Sequence, residues 1–143
     1  MSKRLPYEQA KVIFDKVLSI DLDTVKVVST ERLYQKEFAK QVRSFLKNYG
    51  ITSRQISVTS ATGSMCYWID IRLPHVDRGF TYEAIRRMTD EESKAYFDRG
   101  QEIEDHRDNA RWHLDRVIGT AFPGCRDRSN SQIDYFDFMY TVH

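Results

Sequence analysis

His106 and His113 are the closest pair of histidines in this 143-residue chain, seven positions apart. On a helix that spacing is about 10 Å along the axis, too far for the two to share a metal ion. The four-residue spacing of an HExxH site is missing, so no metal site is expected. Glu102 and His106 stand at i,i+4, which predicts a surface pair on that helix. The two cysteines, Cys66 and Cys125, are too few for a disulfide framework. Cys66 reads first as a small apolar side chain in a strand. A nucleophilic site would need a base and a cation to hold its thiolate. Asp70 lies on the same strand face as Cys66, with His75 just beyond and Arg72 as the cation. The glycines at 63, 79, 119 and 124 are isolated, and none belongs to a phosphate-cradling loop. The expectation is therefore a non-enzyme with no cofactor.

Residues suited to contact are more prominent than residues suited to catalysis. Trp68 and Arg72 share one strand face, and tryptophan and arginine concentrate binding energy in interfaces. Arg126 and Arg128 lie in a polar stretch, 124–132, between a helix and an aromatic strand. Their planar forks suit a phosphate or an acidic partner. Arg72, Arg78, Arg86 and Arg87 form a second basic grouping. Lys36, Lys40, Arg43 and Lys47 fall at i, i+4, i+7 and i+11 of one helix, a stripe that could follow a phosphate backbone. Trp68, Arg72, Arg126 and Arg128 are taken as partner-binding residues, and the α-helical stripe as the alternative nucleic-acid site.

The elements that position these residues follow from hydrophobic period. Residues 55–73 alternate apolar and polar side chains around a Thr62-Gly63-Ser64 break, the pattern of a hairpin with one buried face. Met65, Tyr67, Ile69, Ile71 and Leu73 should meet the core, and Cys66, Trp68, Asp70 and Arg72 the other side. A first helix is predicted from near Pro6 to about Ser19. Residues 24–28 have the β-branched content of a short strand. A second helix, capped by Ser29 or Thr30, carries Leu33, Tyr34, Phe38, Val42, Phe45, Leu46 and Tyr49 as one apolar stripe and ends at Gly50. Thr81 caps a short helix over 82–88. Thr89 with Glu92 makes a capping box for a long helix to about Ile118, interrupted by Gly100 and stopped by Gly119 and Pro123-Gly124. Residues 135–142 alternate again and predict a third strand. The fold class is then α+β: an antiparallel sheet of three or more strands on three to four helices, in a single domain over 1–143.

Composition agrees. An apolar fraction of 41% is enough for a core in a chain of this length, which buries roughly 70% of its unfolded surface. Net charge is +1, too balanced for a nucleic-acid mimic or a dedicated polyanion binder. Ten Lys/Arg against six Asp/Glu in residues 1–50 make the first part basic, and seven against ten make 81–119 acidic. No run of 18 apolar residues predicts a membrane span, and no apolar leader follows Met1. A cytoplasmic location, with thiols reduced, is the expectation.

Four stretches carry a family resemblance: 39–47 (AKQVRSFLK), 56–60 (ISVTS), 67–70 (YWID) and 81–85 (TYEAI). In order and type they resemble the large polyvalent protein-associated domains of phages and mobile elements. The late stretch 129–137 (SNSQIDYFD) is similar to the polar-then-aromatic ending of those domains, although Leu73-Pro-His-Val76 replaces their usual acidic and glycine residues. The resemblance implies a phage or mobile-element origin, with no catalytic residues to carry over. It leads to the expectation of an inhibitor of a host defence system, of the anti-CRISPR type. Such a protein would act in the host cytoplasm on a host protein or ribonucleoprotein complex. The alternative is a nucleic-acid-binding accessory module. Apolar residues on both faces of the strands also predict association through the sheet, with a partner or as a homodimer.

Overall fold

In a computed structural model of the chain, the residues described are 4–63, 66–78, 81–125 and 139–143. They form a mixed α+β fold. Strand β1 (Arg4–Pro6) runs into helix α1 (Tyr7–Leu18), and a 3-10 turn (Leu22–Thr24) follows. Helix α2 (Gln35–Lys47) leads to the hairpin β2 (Ser57–Gly63) and β3 (Cys66–Arg72), then to β4 (His75–Asp77). The short helix α3 (Tyr82–Arg86) precedes the long α4 (Asp90–Ala121), a 3-10 turn (Pro123–Cys125) and β5 (Tyr140–Val142).

One apolar cluster joins the elements. Ala10, Phe14 and Val17 of α1 meet Ala110, Leu114 and Val117 of α4. Phe38, Val42 and Leu46 of α2 pack on Val58, Ile69 and Ile71 of the sheet. Phe122 closes the middle, edge-on to Phe38 at 5.3 Å and to Phe45 at 6.0 Å. Edge-to-face pairs add about 0.5–1.5 kcal/mol each beyond area burial. Gly50 holds the end of α2 at φ +74°, the left-handed turn predicted for it. Thr81 and Thr89 accept from the backbone N–H groups of Ala84 and Glu92, as helix caps do.

Several expectations are corrected. The hairpin is antiparallel as read, but β5 joins β3 in parallel, with Asp70 opposite Thr141, so the sheet is mixed. A second, two-stranded sheet pairs β1 with β4, also in parallel. Helix α2 begins five residues after Thr30, and neither Ser29 nor Thr30 caps it. The preceding chain is recruited elsewhere: the N–H groups of Val28 and Ser29 donate to the Ala121 carbonyl at the end of α4, and Gly124 packs on the backbone of residues 30 and 31. Residues 24–28 form no strand: the N–H groups of Thr24 and Val25 donate to the Asp21 and Leu22 carbonyls in the 3-10 turn, and that of Val28 to Ala121.

Gly119 lies buried inside α4 and does not stop it, and Gly100 leaves the helix continuous. A side chain at Gly100 would collide with the guanidinium of Arg78, which crosses the helix there, stacks on Tyr96 at 3.6 Å and donates to the Tyr96 carbonyl. Tyr67 shares the strand face of Ile69 and Ile71 but lies toward the turn of the hairpin and is 66% exposed. Met65 and the 135–138 part of the predicted tail strand lie outside the described residues. Among the described residues no helix is long and apolar enough to cross a membrane.

Candidate interaction surfaces

The strand alternation that turns Ile69 and Ile71 into the core turns Trp68, Asp70 and Arg72 to the other face. Register adds Thr59 from β2 and Thr141 from β5 beside Asp70. His143 follows one alternation later and is tied to the ladder through backbone bonds with Ile71 and Leu73. Asp70 is the centre of this face. Its carboxylate accepts from Trp68 Nε1–H at 3.0 Å, Thr141 Oγ1–H at 2.7 Å, Arg72 Nη2–H at 3.1 Å and His143 Nε2–H at 3.3 Å. His143 Nε2 also lies 2.9 Å from the Thr141 hydroxyl.

With 13% of its side chain exposed, Asp70 is desolvated, which opposes ionisation. The hydrogen bonds from Thr141, Trp68, Arg72 and His143 outweigh that and hold the carboxyl below its ordinary value of 3.8. The carboxylate therefore fixes an indole and a guanidinium together. The Trp68 ring lies against Gly63, where a side chain would come within 2.9 Å of it. Arg72, at 43% side-chain exposure, keeps much of its surface toward solvent.

The helical stripe takes a different form. Lys36, Lys40, Arg43 and Lys47 are all exposed along α2, opposite the buried row of Phe38, Val42, Phe45 and Leu46. Arg43 is partly committed, since Nη2 donates to the Val58 carbonyl at 2.5 Å. Arg126 and Arg128 lie outside the described residues. The members of the Arg72, Arg78, Arg86 and Arg87 grouping each engage a different neighbour. Arg72 pairs with Asp70, Arg78 with Tyr96, Arg87 with Glu83 at 3.7 Å, and Arg86 stacks over Tyr82.

His106 does not pair with Glu102 as the i,i+4 spacing predicts. Glu102 pairs with Arg99, while His106 joins α4 to α1. Nδ1 of His106 lies 2.7 Å from the Tyr7 hydroxyl and Nε2 lies 2.9 Å from the Asp15 carboxylate. Tyr7 donating to Nδ1, and Nε2–H donating to Asp15, satisfies all three groups. His113 Nε2–H donates to the Ile20 carbonyl at 2.7 Å. His75 is not a partner of Asp70, so the Cys66–Asp70–His75 arrangement considered from sequence is not assembled around that carboxylate. The Cys66 side chain is outside the description, and Cys125 is buried, its sulfur 3.5 Å from the Leu33 N–H.

Thr141 and His143 were invisible to sequence reasoning. They reach Asp70 across 71 and 73 residues, and no local spacing marks a parallel strand pair. Among the described residues no three His, Cys, Asp or Glu side chains are placed to hold a metal ion. Comparison with protein-family models, curated proteins and solved structures finds no match for this chain.

Proposed function

We propose that this chain is a non-enzymatic binding protein that engages a macromolecular partner through the polar face of its three-stranded sheet, with Trp68 and Arg72 as anchors. The observation that supports this most is the single carboxylate of Asp70 fixing both side chains in place. A tryptophan and an arginine held before binding lose less side-chain freedom on association, which otherwise costs about 0.5–1.5 kcal/mol per side chain. The resemblance to phage and mobile-element domains supports a host protein or ribonucleoprotein complex as the partner, with inhibition of a host defence system as the outcome.

Affinity capture from a CRISPR-bearing bacterial lysate, paired with a phage-plating assay of interference, tests this. The wild-type chain should retain a stoichiometric effector complex and restore plating. Trp68→Ala and Arg72→Gln should lose both while remaining folded by circular dichroism at the assay temperature. Recovery of no effector by the wild-type chain, or equal recovery by both variants, would overturn the reading.

One observation favours a second reading, a nucleic-acid accessory module. Lys36, Lys40, Arg43 and Lys47 remain exposed along about 16 Å of α2. Three to four phosphate contacts there predict a log–log salt slope of about −3 for duplex DNA. Fluorescence anisotropy with an oligonucleotide checks it, and binding unchanged by salt would exclude it.

A further inference from the structure

The small ladder pairs β1 with β4, which follows directly on β3, close enough for Arg72 to act on His75. Its register places Arg4 opposite His75, Leu5 opposite Val76 and Pro6 opposite Asp77. Leu5 and Val76 pack on the core, so strand alternation turns Arg4 and His75 outward together. Arg107 approaches the same place from α4. Its Nε–H donates to the Pro74 carbonyl at 3.1 Å and its Nη2–H to the Leu73 carbonyl at 3.3 Å. These two bonds aim the guanidinium at the start of β4, and Glu104 and Asp108 of α4 act on its charge from beyond ion-pair distance. No carboxylate forms an ion pair with Arg107 among the described residues. Asp108, next along α4, pairs with Arg111 at 3.7 Å.

We propose that Arg4, His75 and Arg107 form a binding site for a phosphate group. Its parts are an exposed arginine fork, an imidazole on the same rung and a guanidinium already oriented by the backbone. Arg107 keeps Nη1–H groups for an acceptor, and Arg4 brings a full fork. A phosphate oxygen takes such charge-assisted bonds at roughly twice the strength of neutral ones. The surroundings support the same sign. Burial lowers the His75 pKa below its ordinary value, Arg107 and Arg4 lower it further, Glu104 opposes them and Arg72 adds a smaller push. Glu104 on α4 is the carboxylate that acts on His75, and Asp77 lies two residues along β4; Arg4 and Arg107 are the cations that act on it most, Arg72 being paired with Asp70.

The test follows the His75 ring by proton NMR in the full-length chain at constant ionic strength, titrating inorganic phosphate. His75 should shift in a saturable way with a Kd of about 10 mM or tighter. Bound anion favours the imidazolium, so the His75 titration midpoint should rise on saturation. Arg4→Gln, an exposed change, should weaken binding about fivefold and Arg107→Gln about tenfold. Lys36→Gln on α2 should leave it unaltered. A short oligonucleotide competing with phosphate at His75 assigns the group to a nucleic-acid backbone, and phosphate binding without competition assigns it to a small phosphate; both support the site. If Arg107→Gln unfolds the chain, Arg4→Gln decides alone. A linear, non-saturating shift at His75, or equal weakening by Lys36→Gln and Arg4→Gln, overturns the proposal.

Discussion

Gly124→Ala tests the packing of the 28–33 segment against the end of α4. A methyl group at Gly124 would lie 2.4 Å from the Thr30 carbonyl oxygen, 2.5 Å from that of Glu31 and 2.7 Å from the Glu31 carbonyl carbon. Carbon and oxygen approach no closer than about 3.3 Å even in weak C–H···O contacts, so the segments must part by about 0.9 Å. The colliding atoms are backbone on both sides, and no rotamer relieves them. Parting them strains the bonds of Val28 and Ser29 to Ala121 and the buried contact of Cys125 with Leu33. Overpacking costs about 1–3 kcal/mol, and each weakened hydrogen bond adds up to about 1 kcal/mol. Alanine returns about 0.4–1 kcal/mol by restricting the unfolded chain. The net is a destabilisation of about 2–3 kcal/mol, which lowers Tm by about 6–10 °C in a chain of this size. Thermal unfolding followed by circular dichroism measures it. Gly100→Ala is the control: its methyl displaces only the far end of the flexible Arg78 side chain, and the contacts of Arg78 with Tyr96 that this loses are offset by about 1 kcal/mol of helix propensity. Its Tm should move by less than about 3 °C. Equal, small shifts for the two variants would refute the argument that backbone contact at Gly124 locks the segment.

Asp70→Asn should destabilise the chain by about 1–3 kcal/mol at neutral pH, because four donors lose a charged acceptor. The folded Asp70 pKa lies below 3.8, so this stabilisation is fully present above that value and is lost as pH falls through the folded pKa. Urea unfolding at several pH values should show the two proteins converging in acid. His75 has the opposite chemistry and a depressed pKa, so it lowers stability as pH falls from 6.5 through its folded value; His75→Gln should flatten that part of the profile. Phe38→Ala removes a fully buried ring between Phe122 and Tyr140 and should cost about 3–5 kcal/mol by denaturant unfolding. Thr89→Ala removes the cap of α4 and should cost about 1 kcal/mol, with faster hydrogen exchange confined to its first turn.

What could be read from the residues alone is whatever depends on near neighbours. The Thr81 and Thr89 caps, the Gly50 turn, the buried rows of α1 and α2 and the 57–72 hairpin all follow from side-chain period and turn chemistry within a few residues. Tertiary contact decided the rest. Ser29 and Thr30 have good capping chemistry, yet the carbonyl at the end of α4 holds the chain before α2 and delays the helix to Gln35. Gly100 and Gly119 carry a helix-breaking propensity worth about 1 kcal/mol each, which a 32-residue helix packed along half its length overrides. The parallel pairings of β1 with β4 and β3 with β5 join residues about 70 apart, so no turn motif announces them. Those two pairings assemble both sets of side chains that matter most, Asp70 with Thr141 and His143, and Arg4 with His75. Side-chain identity supplied the chemical groups, and long-range backbone pairing, with no local signature, determined which of them meet.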